Sequence, residues 1–206
     1  MRRVRRARRR KYAAQFSKQS AAARPLAADH CALLVIDIQQ KLLPPIHEKD
    51  RLVRNSQLLI RLASILKLPV LATTQYEKGL GQTVPEIASL LPEKTVHDKQ
   101  EFSCFANEGF CSALQTLPQQ RKTLLLCGME THICVLQTAL GALAQDYVVH
   151  VAADAVGSRS ELNWNIGLDR MRAAGAVISS TETIVYELLR GSGGSAFKEL
   201  LPYLKS

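Results

Sequence analysis

The sequence predicts an α/β fold: a three-layer, doubly wound, Rossmann-like sheet of six parallel strands in the order 3-2-1-4-5-6, with helices on both faces. Three observations predict it. From Cys31 onward short apolar runs alternate with helical stretches, the rhythm of repeated βαβ units. The runs are nearly continuous in apolar residues, as strands covered on both faces are. Six of them are too few for a closed eight-stranded barrel, so the sheet is open.

The elements follow in chain order. ALLVIDI (32–38) reads as the first strand and RLVRNSQLLIRLASILK (51–67) as a helix, with Leu52, Leu58, Leu59, Leu62 and Leu66 on one face. PVLATT (69–74) is the second strand, YEKGLGQTVPEI (76–87) a glycine-bearing loop running into a short helix, and TVHDK (95–99) the third strand. KTLLLCG (122–128) is the fourth strand, THICVLQTALGALAQ (131–145) a helix, and YVVHVAAD (147–154) the fifth strand. SELNWNIGLDRMRAAG (160–175) is a helix ended by Gly175, AVISS (176–180) the sixth strand, and TETIVYELL a helix capped at Thr181. GSGG (191–194) is a hinge before SAFKELLPYLK, an amphipathic helix that packs on the body or on a second subunit.

The domain reading is a basic extension over residues 1–30 and one folded domain over 31–206. The chain has 206 residues, 47% of them hydrophobic, which fills one core and is short for two. The net charge of +9 resembles a nucleic-acid signal until it is located. Of 27 Lys and Arg and 18 Asp and Glu, residues 1–30 hold ten and one, which leaves 17 of each for the rest. The body is therefore balanced, and any nucleic-acid contact depends on retention of the arm. That arm is Arg-rich, contains Ala and Ser, and has no acid before Asp29, the composition of a mitochondrial transit peptide; a cytoplasmic location is the alternative. No apolar run reaches the length of a membrane span. The five cysteines have neither an even count nor a CxxC pair, which weighs against a disulfide framework.

With the strands in that order the winding reverses between strands 1 and 4, and ligands bind beyond the carboxyl ends of the strands there. Asp37 ends the first strand and GMETHIC follows the fourth. With Thr131 as N-cap, Cys134 falls in the first helical turn, where unpaired backbone donors and the helix dipole favour a thiolate. Lys99, at the end of strand 3, can bring a cation to the same crevice. Singly, each residue has an ordinary reading: a cap, a solvated lysine, a core thiol. Together they form a nucleophile, a base and a charge.

Three segments, DIQQKLL (37–43), KQEFSCF (99–105) and GMETHICVLQTA (128–139), resemble the signature blocks of the isochorismatase-like cysteine hydrolase superfamily: Asp-x-Gln, Lys-x-x-Phe-Ser and Gly-x-x-Thr-x-x-Cys-Val. The resemblance runs from about Cys31 to Lys205 and is closest to the isochorismatase domain-containing subgroup, through QYEKGLGQTVPEI (75–87) and DAVGSRS (154–160). It implies a catalytic triad of Asp37, Lys99 and Cys134, a cis peptide between Met129 and Glu130, and an oxyanion hole from the backbone N–H groups of Glu130 and Cys134. It implies thioester chemistry on a small amide or related C–N substrate, and a homo-oligomer. Gln39, Gln75, Tyr76, Phe102, Phe105 and His132 are candidates for the pocket wall, with His132 somewhat better suited to point to solvent. Metal-dependent nicotinamidases of the superfamily bind their ion through histidines after strand 2; TTQYEKGLGQTVPE has none, so neither metal nor cofactor is expected. His97 and His150, within strands, read as core or surface residues. Two other classes stay open: a mitochondrial nucleic-acid-associated protein with a ribonuclease-type role, and a catalytically idle or thiol-sensing domain.

Overall fold

Strands buried on both faces need a partner on each edge and a helix on each side, and the sheet follows from that need. In the computed structural model, which describes residues 24–204, strands β1 (Cys31–Ile36), β2 (Val70–Gln75), β3 (Val96–Lys99), β4 (Thr123–Met129), β5 (Val148–Gly157) and β6 (Val177–Ser179) form one sheet. Its order is β3-β2-β1-β4-β5-β6, and every neighbouring pair is parallel. The predicted order thus holds.

Period-2 alternation along β1 divides the core into two. Leu33 and Val35 face one layer, with Leu52, Leu59 and Leu62 of helix α1 (Lys49–Leu66). Ala32, Leu34 and Ile36 face the other, with Phe110 and Leu114 of α4 (Glu108–Gln115), Ala139 of α5 (Leu136–Ala144) and Met171 of α6 (Glu161–Ala173). Two short helical turns, α2 (Glu77–Leu80) and α3 (Pro85–Ala88), lie in the loop after β2. Two further helices, α7 (Thr181–Leu189) and α8 (Ser195–Leu204), join the α1 layer through Ile184, Leu188 and Leu200. Leu200 is fully buried and the Arg61 guanidinium lies over the Tyr203 ring, so α8 packs on the body.

Several details depart from the sequence expectations. Helix α4 lies in a stretch where no element was expected, its start capped by the Asn107 side chain, which accepts from the Phe110 N–H. Strand β5 runs three residues past 154, to Gly157, with a register shift against β4. Ser180, not Thr181, caps α7: its hydroxyl accepts from the Thr183 N–H, while both the N–H and the hydroxyl of Thr181 donate to Asp154 Oδ1. On α1, Leu58 and Leu66 are only half-buried, and burial centres on Leu52, Ser56, Leu59, Ile60, Leu62 and Ala63. Gly175 closes α6 as expected, with φ +104°. Most of the basic arm, residues 1–23, lies outside the described residues; from its remainder Leu26 packs into the core and its N–H donates to Glu187 Oε2.

Gly128, near the end of β4, holds the centre of the sheet close. Its φ is +121°, and a Cβ there would lie 2.0 Å from the Ile36 carbonyl oxygen of β1. We predict that Gly128→Ala destabilises the fold by about 3 kcal/mol or more, read as the shift in urea midpoint at constant m-value.

Candidate active site

The chain turns sharply as it leaves β1. Asp37 takes a left-handed conformation, φ 52°, and its N–H donates to the Thr73 carbonyl on β2 at 3.1 Å. Asp37 is thereby held, fully buried, against the end of β2. Lys99, the last residue of β3, reaches past β2 from the far side. Its Nζ donates to Asp37 Oδ2 at 2.7 Å and to Gln75 Oε1 at 2.8 Å. Thr73 Oγ1 donates to the other carboxylate oxygen, Oδ1, at 2.7 Å. Both charged side chains are wholly excluded from solvent. Such a pair recovers its desolvation cost only through close geometry and further hydrogen bonds, and here both partners have them.

Cys134 arrives from β4. The Met129–Glu130 peptide is cis, and the chain then enters a wide turn, Thr131–Val135, in which the Val135 N–H bonds the carbonyl of Glu130 five residues back. Glu130 is the residue at the N-cap position; Thr131 does not cap, and its hydroxyl is buried without a hydrogen-bond partner. Cys134 is 6% exposed and its thiol is hydrogen-bonded with Asp37. Burial raises its pKa well above the ordinary thiol range, and the Asp37 carboxylate raises it further, while Lys99 pulls the other way. The helix start was expected to favour a thiolate; burial and the neighbouring Asp37 carboxylate shift Cys134 in the opposite direction, toward the thiol.

A second thiol lies behind the pair. Cys104 is fully buried; its S–H donates to Thr73 Oγ1 at 3.9 Å, and its N–H donates to the Thr138 hydroxyl at 3.0 Å. Burial pushes its pKa up to about 11, with Asp37 adding to the shift. Neither Thr73 nor Cys104 stood out in the sequence.

The residues expected along the pocket wall separate into groups. Gln39 and Gln75 are braces: Gln39 donates to the carbonyls of Gln75 and Gly81, accepts from the Gln75 N–H, and Gln75 spans Lys99 and the Gln100 carbonyl. Tyr76 and Phe102, at the ends of β2 and β3, are exposed. The Phe105 ring packs edge-on against Phe110 and Tyr147. His132 does not point to solvent; it is half-buried with Nδ1 3.0 Å from Ser158 Oγ. The Glu130 carboxylate accepts from both the backbone N–H and Nε of Arg159. His97 meets Phe110 edge-on and His150 is buried in β5. Among the described residues no group of three or more His, Cys, Asp or Glu is arranged to hold a metal ion. A cavity of about 380 Å³ lined by Arg54, Arg61, Asp154 and Tyr203 lies apart from this chemistry and includes none of Asp37, Lys99 or Cys134.

Residues 31–183 match the isochorismatase domain. The chain is 38% identical over 176 residues to the secreted isochorismatase effector Isc1 of Phytophthora sojae, covering 84% of this chain and 83% of that one. It is 36% identical over 173 residues to isochorismatase domain-containing protein 2 of Rattus norvegicus, covering 84% and 80%. Among solved structures it resembles the MAR1 ribonuclease of Caenorhabditis elegans (TM-score 0.82, 34% identity, covering 89% and 93%). It also resembles YcaC of Pseudomonas aeruginosa, solved with hexane-2,5-diol and covalent acrylamide (0.81, 27%, covering 88% and 95%). A third similar structure is the YcaC gene product of Escherichia coli, an octameric hydrolase of unknown specificity (0.79, 29%, covering 88% and 93%). The chain therefore belongs to the isochorismatase family and is, by class, an isochorismatase-family hydrolase.

Because each charge of the buried pair supports the other, removing one exposes the cost of the other. We predict that Lys99→Met lowers stability by about 3–5 kcal/mol in urea unfolding, and that adding Asp37→Asn to it recovers most of the loss.

Proposed function

We propose that this protein is a metal-independent cysteine hydrolase of small amides or related C–N compounds, using a Cys134–Lys99–Asp37 triad. The observation that carries the reading is the Asp37 carboxylate, ion-paired to Lys99 and hydrogen-bonded with the Cys134 thiol inside a dry crevice at the β1/β4 reversal. The covalent acrylamide in the Pseudomonas relative supports it, since acrylamide is an electrophile that thiols add to.

In this reading Asp37 takes the thiol proton as Cys134 Sγ adds to the substrate carbonyl carbon. The oxygen gains the charge and is received by the backbone N–H groups of Glu130 and Cys134. The C–N bond breaks, the amine leaves with the proton held on Asp37, and a thioester remains. Water then adds to that carbonyl, giving a proton to Asp37. The C–S bond breaks, the acid is released, and the proton returns to Cys134. Lys99 stays charged throughout and offsets the negative charge shared by Asp37 and sulfur.

The test is a screen of small amides and carbamoyl compounds against the wild type and Cys134→Ala. Turnover of at least one compound by the wild type, with loss of about a thousandfold or more in a variant of unchanged stability, supports the reading. Equal activity in the variant would sink it. Asp37→Asn separates charge from base: the variant removes the anion that raises the Cys134 pKa, so thiolate absorbance, taken against Cys134→Ala, appears at lower pH while turnover falls.

A second reading rests on the Caenorhabditis elegans relative named a ribonuclease. It predicts salt-dependent RNA binding and cleavage by the chain carrying residues 1–30, whereas the remainder, with 17 charges of each sign, binds weakly. We further propose that the Arg-rich segment directs the protein to mitochondria and that the mature protein is a homo-oligomer, as the Escherichia coli relative is an octamer. The mass of the mature protein and its sedimentation read these out.

A further inference from the structure

We propose that Thr73 is the positioning residue for the Asp37 carboxylate, and that Cys104 acts behind it by fixing the direction in which the Thr73 hydroxyl points. The inference rests on Asp37 serving as the proton acceptor for Cys134, as proposed above.

Asp37 follows β1 in a left-handed turn and has no strand neighbour of its own to hold its side chain. Thr73 grips it twice. The Thr73 carbonyl accepts from the Asp37 N–H, and the Thr73 hydroxyl donates to Oδ1 at 2.7 Å. Lys99 takes Oδ2 at 2.7 Å. With one donor on β2 for one oxygen and one donor on β3 for the other, the carboxylate plane has a single orientation, and that orientation presents it to Cys134.

The hydroxyl has one hydrogen and could spend it elsewhere. Cys104, fully buried, places its S–H on Thr73 Oγ1, occupying a lone pair and leaving the hydroxyl hydrogen for Asp37. Its backbone is fixed in turn by the Thr138 hydroxyl. The result is a one-way series of donors, Cys104 to Thr73 to Asp37, converging with Lys99 on the base. A threonine hydroxyl donating to a carboxylate stabilises the ionised form, so its loss removes one of the two side-chain donors that favour the charged base.

Acrylamide is the probe. In its addition the Cys134 proton passes to Asp37 as the sulfur–carbon bond forms at the β-carbon; the carbon–carbon double bond becomes single, and the proton moves from Asp37 to the α-carbon, so no leaving group is needed. Adduct formation on Cys134 of the full chain is followed by peptide mass against pH for the wild type, Thr73→Val, Thr73→Ser and Cys104→Ala. The acid-side limb of the rate profile should move up by roughly one pH unit in Thr73→Val, and the plateau rate should fall severalfold. Thr73→Ser should restore both, and Cys104→Ala should shift the limb the same way by less. A merely structural role for Thr73 would change the melting temperature without moving the limb. A folded Thr73→Val with the wild-type profile overturns the proposal; should that variant not fold, an unshifted limb in Cys104→Ala does so. Absence of any Cys134 adduct in the wild type instead overturns the hydrolase reading on which the proposal stands.

Discussion

The buried ion pair between Asp37 and Lys99 is the constraint around which the rest of the site is arranged. Two opposite charges in a dry interior attract strongly, but each gives up its hydration, and the balance is favourable only where every remaining donor and acceptor is met. Strand β2 lies between the two residues and supplies what they need: the Thr73 hydroxyl on one side and the Gln75 amide oxygen on the other. Gln39 then holds the Gln75 backbone in place. A position that looks like part of a substrate wall in sequence is, in space, part of the frame that keeps a lysine buried.

The same pair governs the sulfur. A thiol in the first turn of a helix is often acidic, but here the turn is wide, the thiol is buried, and its nearest charged neighbour is an anion. Lys99 reduces the effect without reversing it. Burial and the neighbouring carboxylate thus both favour the thiol form of Cys134. The close approach of β1 and β4 at Gly128 lets Asp37 and Cys134, from two different strands, meet at one point.

Some of this was legible in the residues. Continuous apolar runs separated by amphipathic stretches specify a parallel sheet covered on both sides, and the strand order followed. Strand ends near a winding reversal pointed to Asp37, Cys134 and Lys99, and the motifs gathered the three. What escaped was set by register. Thr73 lies opposite Ile36 and Gln75 opposite Lys99 because of how β1, β2 and β3 pair, and no local signal in ATTQ carries that pairing. Cys104 did not stand out because its partner is 31 positions away. Helix α4 escaped because its segment, EGFCSALQ, is short and is organised by Phe110 and Leu114 packing beneath the sheet.

The sequence by itself determined the fold class, the order of the strands, the charge balance of the body and the chemical types gathered at the reversal, because these depend on periodicity, composition and position along the chain. Only the tertiary structure decided the direction of each hydrogen bond, the burial of the ion pair and the electrostatic surroundings of the sulfur. Those depend on distances between side chains from different strands and on the exclusion of water from the space between them, and neither exists until the sheet has closed.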